Sequence, residues 1–220
     1  GGRGGRAGPR SGGEPLLRKD FLHILRRAKK LGLEVIIYSN GFLIDKNIVA
    51  YFRDLGVNKV DITIPGMSRN VFERITGVVG SHKKVFAAID LLLKNEVPLG
   101  FKTCLVNGNE NEVHAIQNFA HHCGALHRFD DKPMSQWGGS YRKADGSGKK
   151  LELHCGIGRT QAAVTPAGEL KMCVMIDRPK YDILDNTFAG SWEKLKTYVR
   201  CHAKTGDLRC PEREANGGIL

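Results

Sequence analysis

Long apolar runs and aromatic side chains are both scarce in this sequence of 220 residues, in which Phe, Trp and Tyr together make up 7%. No apolar run approaches the ~20 residues that a helix needs to cross a bilayer. The first residues also lack the apolar stretch that is typical of a signal peptide. We therefore expect a cytoplasmic protein that has no membrane partner.

Cysteine is missing from the first part of the chain, since none precedes Cys104. The six cysteines stand at positions 104, 123, 155, 173, 201 and 210. This spread excludes a compact disulfide scaffold, and a reducing cytoplasm would keep the thiols unpaired. Cys104 falls in a strand pattern and Cys123 at a helix end, so both are predicted to be core thiols. For the later four cysteines, the distribution favours metal or cluster ligation.

Acidic residues are fewer than basic ones, with 23 Asp and Glu against 34 Lys and Arg, which gives a net charge of +11. Such a balance is compatible with a nucleic-acid partner. However, the basic residues are scattered through helical patterns, without the interleaved aromatic side chains on which unpaired bases stack. We predict a solvated basic surface and no nucleic-acid partner.

Composition divides the chain into four segments. Residues 1–10 are mostly Gly and Arg and are predicted to be a disordered leader. Residues 11–130 have the patterns of a folded core, and residues 131–150 are rich in Gly, Ser and Lys, which is typical of a linker. Residues 151–220 contain four of the six cysteines and are predicted to form a small second domain.

Helix and strand patterns alternate from residue 18 to residue 130. Helices are predicted to begin near Phe21, Asp45, Ser81 and Glu110, and strands are predicted over residues 33–38, 57–64, 97–106 and 125–129. Asp45 and Ser81 are the expected N-caps of their helices. The alternation predicts an α/β fold with parallel strands. It fits part of a (βα) barrel or a doubly wound sheet, and periodicity does not separate the two.

The segment Ser11-Gly12-Gly13-Glu14-Pro15 stands just before the first helix pattern. Ser11 and Glu14 fit a capping box, and Pro15 suits a first helical turn. The glycine pair has a different use, because it lets the backbone approach a ligand closely where amides face outward. The segment therefore predicts either a helix start or a ligand-binding turn.

SGGEPLL, followed by RKDFLHIL, resembles the GGEP segment and the next helix of radical S-adenosylmethionine (AdoMet) enzymes, the radical SAM superfamily. YSNG at 38–41, VDITIPG at 60–66 and the stretch at 75–95 resemble later segments of that family in the same order. The resemblance implies a partial (βα) radical SAM barrel.

The resemblance also implies a cofactor site at the strand ends. The backbone of the GGEP segment would hold the amino group of AdoMet, and three strand-end residues would line its ribose and carboxylate. Small polar residues at strand ends also act simply as turn formers, so this second reading of the three stays open. The implied residues are Gly12, Gly13, Glu14 and Pro15 in the segment and Ser39, Asn40 and Thr63 at the strand ends.

The C-terminal cysteines carry a second resemblance. Cys155, Gly168 and Cys173 have the spacing that opens the SPASM and Twitch domains, in which a glycine turns a hairpin between two ligands of an auxiliary 4Fe–4S cluster. The family's next motif maps onto Cys201 and Cys210, but two of its four cysteine positions hold other residues here. The resemblance implies an incomplete SPASM/Twitch-like domain with Cys155, Cys173, Cys201 and Cys210 as cluster ligands. Two cysteines at such a separation also occur simply as core residues.

One family feature is missing from the sequence. Radical SAM enzymes hold their core 4Fe–4S cluster on a Cys-x3-Cys-x2-Cys loop ahead of GGEP, and no cysteine stands there. We therefore expect an N-terminally truncated chain that is inactive by itself.

The complete protein, by resemblance, would cleave AdoMet reductively to a 5′-deoxyadenosyl radical. It would modify a peptide or protein substrate by hydrogen abstraction, with a flavodoxin or ferredoxin as electron donor. The alternative is a non-catalytic peptide- or protein-binding module on a degenerate scaffold. A third possibility is an iron–sulfur electron carrier that uses only the C-terminal segment.

Overall fold

The computed structural model describes residues 13–130, 160–173 and 176–203. They fall into two compact units, of which the larger described parts are residues 14–130 in one and residues 160–173 with 176–203 in the other. The predicted leader and linker, together with Gly12, Cys155 and Cys210, lie outside the described residues.

The N-terminal unit alternates helices with parallel strands, as the sequence predicts. A short 3₁₀ turn, Pro15–Leu17, precedes α1. The elements that follow are α1 (Phe21–Lys30), β1 (Ile36–Ser39), α2 (Lys46–Asp54), β2 (Lys59–Thr63), α3 (Arg69–Thr76), α4 (Ser81–Lys94), β3 (Leu99–Cys104), a 3₁₀ turn (Glu110–Glu112), α5 (Val113–His122) and β4 (Leu126–Asp130).

The four strands form one parallel sheet in the order β1-β2-β3-β4. Because each connection moves the chain one strand further in the same direction, right-handed crossovers place all the helices on one face of the sheet. This is the winding of a barrel segment, whereas a doubly wound sheet reverses direction and carries helices on both faces. The α/β class is confirmed, and the strand order favours the barrel alternative.

The hydrophobic core lies between the sheet and its helices. Alternate strand residues point into it, because successive side chains of a strand face opposite ways. Ile37, Val60, Ile62 and Phe101 are among them, and each is at most 3% exposed. The helices contribute Val49, Phe52, Phe72, Val85, Ile89, Leu92 and Ile116. These contacts hold the sheet in place, and no helix of the described residues covers its other face, which is called the helix-free face below.

The helix boundaries follow local signals, with two corrections. Asp45 caps α2 as predicted, since its carboxylate accepts bonds from the amides of Asn47 and Ile48. Ser81 is not an N-cap: Gly80 holds that position, and the Ser81 hydroxyl donates to the carbonyl of Val78 instead.

Helix α3 is absent from the sequence prediction. Its N-cap is Ser68, whose hydroxyl accepts a hydrogen bond from the amide of Val71. Only Phe72 of this helix is buried, and its eight residues are fewer than the roughly 11–18 over which a helical period is read from a sequence. Among the described helices, none is long and apolar enough to cross a membrane.

The C-terminal unit is an antiparallel sheet with one helix. Its strands are β5 (Ala163–Val164), β6 (Glu169–Cys173) and β7 (Ile176–Asp182), in that order, followed by α6 (Phe188–Ala203). The predicted hairpin at Gly168 is confirmed, with a positive φ of 81° at that glycine. The buried core residues are Leu170, Met172, Leu195 and Val199. Strand β7 and helix α6 are absent from the sequence prediction.

Candidate functional site

The carboxyl ends of the four parallel strands lie along one edge of the sheet, which is where α/β proteins bind their ligands. Ser39 ends β1 and Thr63 ends β2. Ser39 pairs in register with Ile62, so Thr63 lies one residue further along the neighbouring strand. The strand-end residues of the sequence prediction therefore lie on two adjacent strands.

Glu14 joins the GGEP segment to the end of β1. One carboxylate oxygen accepts a hydrogen bond from the Ser39 hydroxyl at 2.9 Å, and the other accepts from the Asn40 amide at 2.7 Å. The same carboxylate accepts from the Leu16 amide at 3.2 Å and so caps the 3₁₀ turn that begins at Pro15. Glu14 is therefore the N-cap of this short 3₁₀ turn. The prediction that Glu14 is the third residue of a helix capped by Ser11 is wrong, because α1 begins only at Phe21.

Ser39 and Asn40 are both used in building this turn. The Ser39 hydroxyl, 4% exposed, also accepts a bond from the Gly41 amide at 3.0 Å. The Asn40 side-chain oxygen accepts from the Phe42 amide at 2.9 Å. Asn40 and Thr63 remain exposed at the sheet edge, whereas Ser39 is buried beneath it. Gly13 is exposed, and a side chain there would meet nothing within 4 Å.

A second set of hydrogen bonds fixes the loops after β2 and β3. The Glu112 carboxylate accepts from the Met67 amide at 2.5 Å, from the Ser68 amide at 3.1 Å and from the Ser68 hydroxyl. Asn109 is fully buried, and its side-chain amide donates to the backbone carbonyls of Pro65 and Cys104. These hydrogen bonds of Glu112 and Asn109 connect the two loops, and they are called the loop tie below.

Glu112 is held as a carboxylate in this arrangement. Burial acts to raise its pKa, but the hydrogen bonds from Ser68 and Met67 outweigh burial and lower the pKa below its ordinary value. Sequence reasoning missed both Glu112 and Asn109. Their signal is a polar run, residues 107–112, placed directly after a strand that is otherwise mostly apolar.

The helix-free face of the sheet carries a charged network that sequence reasoning also missed. Asp61 on β2 is only 2% exposed and forms ion pairs with Lys59 at 3.1 Å and with Arg128. Arg128 also donates to the Tyr38 hydroxyl at 3.0 Å. The Asp61 carboxylate fills the space beside Gly100 on β3, and a Cβ at this position would lie 1.9 Å from an Asp61 oxygen. The available signal is the charged Asp61 within an apolar strand.

Arg128 is fixed as a cation in this network. The hydrogen bond with Tyr38 and the nearby Asp61 carboxylate raise its pKa above the ordinary value, despite partial burial. The guanidinium group keeps its charge at any pH at which the protein folds.

The cysteines differ in their surroundings. Cys173 ends β6 and is half-buried, and Cys201 is exposed on α6. Among the described residues, no three His, Cys, Asp or Glu side chains gather as a metal site. Cys104 and Cys123 are half-buried, and burial raises the pKa of Cys123, as expected of a core thiol.

A known protein family matches the sequence. The sequence model of the radical SAM superfamily matches residues 11–120, which is half of the chain.

Two curated proteins illustrate the sequence relationships. An AdoMet-dependent heme synthase of Methanosarcina barkeri is 31% identical over 116 residues, covering 53% of this chain and 33% of the relative. A probable GTP 3′,8-cyclase of Sulfurisphaera tokodaii is 29% identical over 127 residues, covering 56% of this chain and 40% of the relative. The chain therefore spans well under half the length of these relatives.

Solved structures share the fold at low sequence identity. Streptococcus suis SuiB bound to the precursor peptide SuiA matches with a TM-score of 0.64 at 12% identity, covering 86% of this chain and 54% of SuiB. SuiB bound to S-adenosylmethionine matches with a TM-score of 0.51, also at 12% identity, covering 86% of this chain and 55% of SuiB. At such identity the likeness shows the fold alone, an α/β fold with a parallel sheet like that of radical SAM enzymes.

Proposed function

This chain belongs to the radical SAM superfamily, and we propose that its N-terminal unit holds AdoMet at the carboxyl edge of the parallel sheet. The observation that carries the proposal is the Glu14 carboxylate, which locks the GGEP turn onto the end of β1 through Ser39 and Asn40. A turn held in this way keeps its backbone in one geometry, which is what recognition of a ligand by main-chain groups requires.

The residues present fit AdoMet in their chemistry. The space around Gly13 is open, so a ligand can approach the backbone there. Asn40 and Thr63 are exposed on adjacent strand ends and offer polar groups to a ribose or a carboxylate. Ser39 is assigned a positioning role, because its hydroxyl already bonds Glu14 and Gly41.

The residues present do not fit the family's core 4Fe–4S cluster, because no cysteine precedes Cys104. AdoMet together with such a cluster supplies radical chemistry in this family. We therefore assign this chain the task of holding and orienting AdoMet, and we derive no step through the cluster.

For the complete protein we propose modification of a peptide or protein substrate. Support comes from SuiB, whose fold this chain shares and which is bound to its precursor peptide. No feature of the described residues favours the non-catalytic alternative.

AdoMet binding to the 220-residue chain tests the proposal. We expect Glu14→Ala to weaken binding by about tenfold, since it removes charge-assisted hydrogen bonds that hold the turn. Glu34→Ala is the matched control, because Glu34 is exposed and lies outside the site. Isothermal titration calorimetry gives the affinities, and circular dichroism checks the fold. Unchanged affinity in Glu14→Ala, or no binding by the wild type, would refute the assignment.

Reductive cleavage of AdoMet is a separate readout. Because no cysteine precedes Cys104, we expect the chain, after anaerobic reconstitution with iron and sulfide, to make little 5′-deoxyadenosine. Sustained production of this nucleoside would contradict our reading of the missing ligands.

We further propose that Cys155, Cys173, Cys201 and Cys210 ligate an auxiliary 4Fe–4S cluster. The support is the spacing about Gly168 and the hairpin that this glycine turns, which ends at Cys173. Iron and sulfide content of the reconstituted chain should fall in Cys173→Ala and in Cys201→Ala, but not in the control Cys123→Ala. Equal iron content in all four proteins would remove the cluster assignment.

A further inference from the structure

We propose that Arg128 binds a carboxylate group of the substrate on the helix-free face of the parallel sheet, assisted by Thr63. The word substrate rests on the function proposed above, but the carboxylate site itself rests on the geometry of this face. The inference identifies a specificity-determining residue and the chemical class it selects: a peptide with an acidic side chain.

The face is accessible, although its sheet is well packed from behind. Tyr38 on β1 is 51% exposed and Leu126 on β4 is 74% exposed. By contrast, Ile37 and Phe101, whose side chains point to the helices, are at most 3% exposed. The helix-free face therefore presents side chains that a ligand can reach.

The Arg128 guanidinium is positioned on this face by two partners. Its Nη2 group donates to the Tyr38 hydroxyl at 3.0 Å and to the Asp61 carboxylate. The group also lies 5.7 Å from the centre of the Tyr38 ring. Because Gly100 has no side chain, Arg128 on β4 can reach across β3 to Asp61 on β2. The guanidinium plane is thus held before any ligand binds.

The positioned guanidinium retains donors for a ligand. Within the described residues, both of its hydrogen bonds use Nη2, and the Arg128 side chain is 53% exposed. The Nε and Nη1 hydrogens remain, and a guanidinium edge with two donors matches the two oxygens of a carboxylate. An arginine whose orientation is already fixed loses less entropy when it makes this contact.

The residues in register with Arg128 on the neighbouring strands add polar groups to this face. Thr63, Lys102 and Arg128 pair in register across β2, β3 and β4, so their side chains share one face. This face also holds Lys59 and Asp61, and the Asp61 carboxylate is shared between Lys59 and Arg128. Because Asp61 already offsets part of the Arg128 charge, a carboxylate with one negative charge suits this arginine better than a phosphate with two.

Matched peptides test the inference on the 220-residue chain. The probes are acetyl-Ala-Glu-Ala-amide and acetyl-Ala-Gln-Ala-amide, which differ in one charge. In ¹H–¹⁵N correlation spectra we expect the Glu peptide to shift the amides of Arg128, Lys102 and Thr63 in a saturable way. The Gln peptide should leave them unmoved. Equal shifts with both peptides, or shifts confined to other parts of the chain, would overturn the proposal.

Variants of Arg128 distinguish a role in peptide binding from a role in folding. We expect Arg128→Gln to weaken binding of the Glu peptide by about tenfold, because a charge-assisted contact is lost. Arg128→Lys keeps the ion pair with Asp61 but not the planar fork, so it should fold normally and bind with intermediate affinity. Arg53→Gln is the control, since Arg53 pairs with Asp54 on α2. Wild-type affinity in both Arg128 variants would refute the assignment.

AdoMet also carries a carboxylate, so it forms a third arm of the experiment. Arg128→Gln should leave AdoMet affinity unchanged while weakening the Glu peptide. The opposite pattern would assign the carboxylate to the cofactor and overturn this inference. Failure of the wild type to bind AdoMet would refute the proposed function, whereas the peptide arm would still report on Arg128 independently.

Discussion

The N-terminal and C-terminal units differ in what their sheets do with their two faces. In the N-terminal unit, helices cover one face and build a large core, and the other face carries the ion pairs of Asp61 with Lys59 and Arg128. In the C-terminal unit, three short strands pack against one helix, and the described core has four buried residues. Burying the Asp61 carboxylate costs free energy, and the large N-terminal core can offset that cost more readily than a small core can. The larger core and the charged face are the setting of the two ligand sites that we propose on the N-terminal sheet.

Core truncation in each unit should have the largest effect. Phe52 and Leu195 are both fully buried. Replacing Phe52 by Ala should cost about 3–5 kcal/mol and replacing Leu195 by Ala about 2–5 kcal/mol, because each leaves a cavity. Deuterium uptake should rise in peptides from α2, β1 and β2 for the first variant, and in peptides from β6 and α6 for the second. If either variant raises uptake equally in both units, the two cores do not act separately.

A smaller effect is expected at Gly66, beside the loop tie of the N-terminal unit. A Cβ there would lie 2.6 Å from a Glu112 oxygen and 2.7 Å from a Val71 methyl group. Gly66→Ala should destabilise by about 1–3 kcal/mol, because the loop must shift. The control is Gly13→Ala, whose Cβ would meet nothing within 4 Å. Equal melting temperatures for the two variants would show that the tie contributes little.

The hairpin of the C-terminal unit offers the corresponding test. Gly168 has a φ of 81°, a backbone conformation that residues with a side chain avoid. Gly168→Ala should cost about 1–2 kcal/mol, because of this strain and because its Cβ would lie 2.9 Å from the Leu184 Cγ, which must move. Gly168→Asn should cost less, because Asn tolerates the left-handed region. If deuterium uptake of the β5–β6 hairpin is unchanged in both variants, the turn does not limit the stability of this unit.

The pH dependence of the loop tie should be the smallest effect. Hydrogen bonds lower the pKa of Glu112 below its ordinary value of 4.5, so its stabilisation is present above pH 4.5 and is lost as the pH falls through the lowered pKa. Glu112→Gln should cost about 1 kcal/mol at pH 7. The gap in urea midpoint between the wild type and this variant should narrow below pH 4.5. A constant gap would mean that the charge of Glu112 is not involved.

Much of the fold could be predicted from local patterns. Apolar side chains at helical spacing and glycine stops located α1, α2, α4 and α5, and apolar strand patterns located the four parallel strands. Helix α3 was missed because its eight residues are too few to establish a helical period. The C-terminal hairpin was predicted from its turn residues, whereas no comparable turn sequence was used to delimit β7 and α6.

The candidate site could be predicted only in part. The GGEP segment and the residues that follow β1 were found by resemblance, and the structure brings Glu14, Ser39 and Asn40 together. The buried position of Ser39 was not predictable from its residue type, because a strand-end serine faces solvent or core according to the strand's register.

The sequence by itself determined the α/β alternation, since helix and strand periods, caps and glycine stops act over a few neighbouring residues. It also carried the family relationship through its motifs. Only the tertiary structure decided which polar residues meet. Arg128 lies 90 residues from Tyr38 and 67 residues from Asp61 in the chain. Strand order and register bring the three together, and no local pattern encodes a contact at such separation.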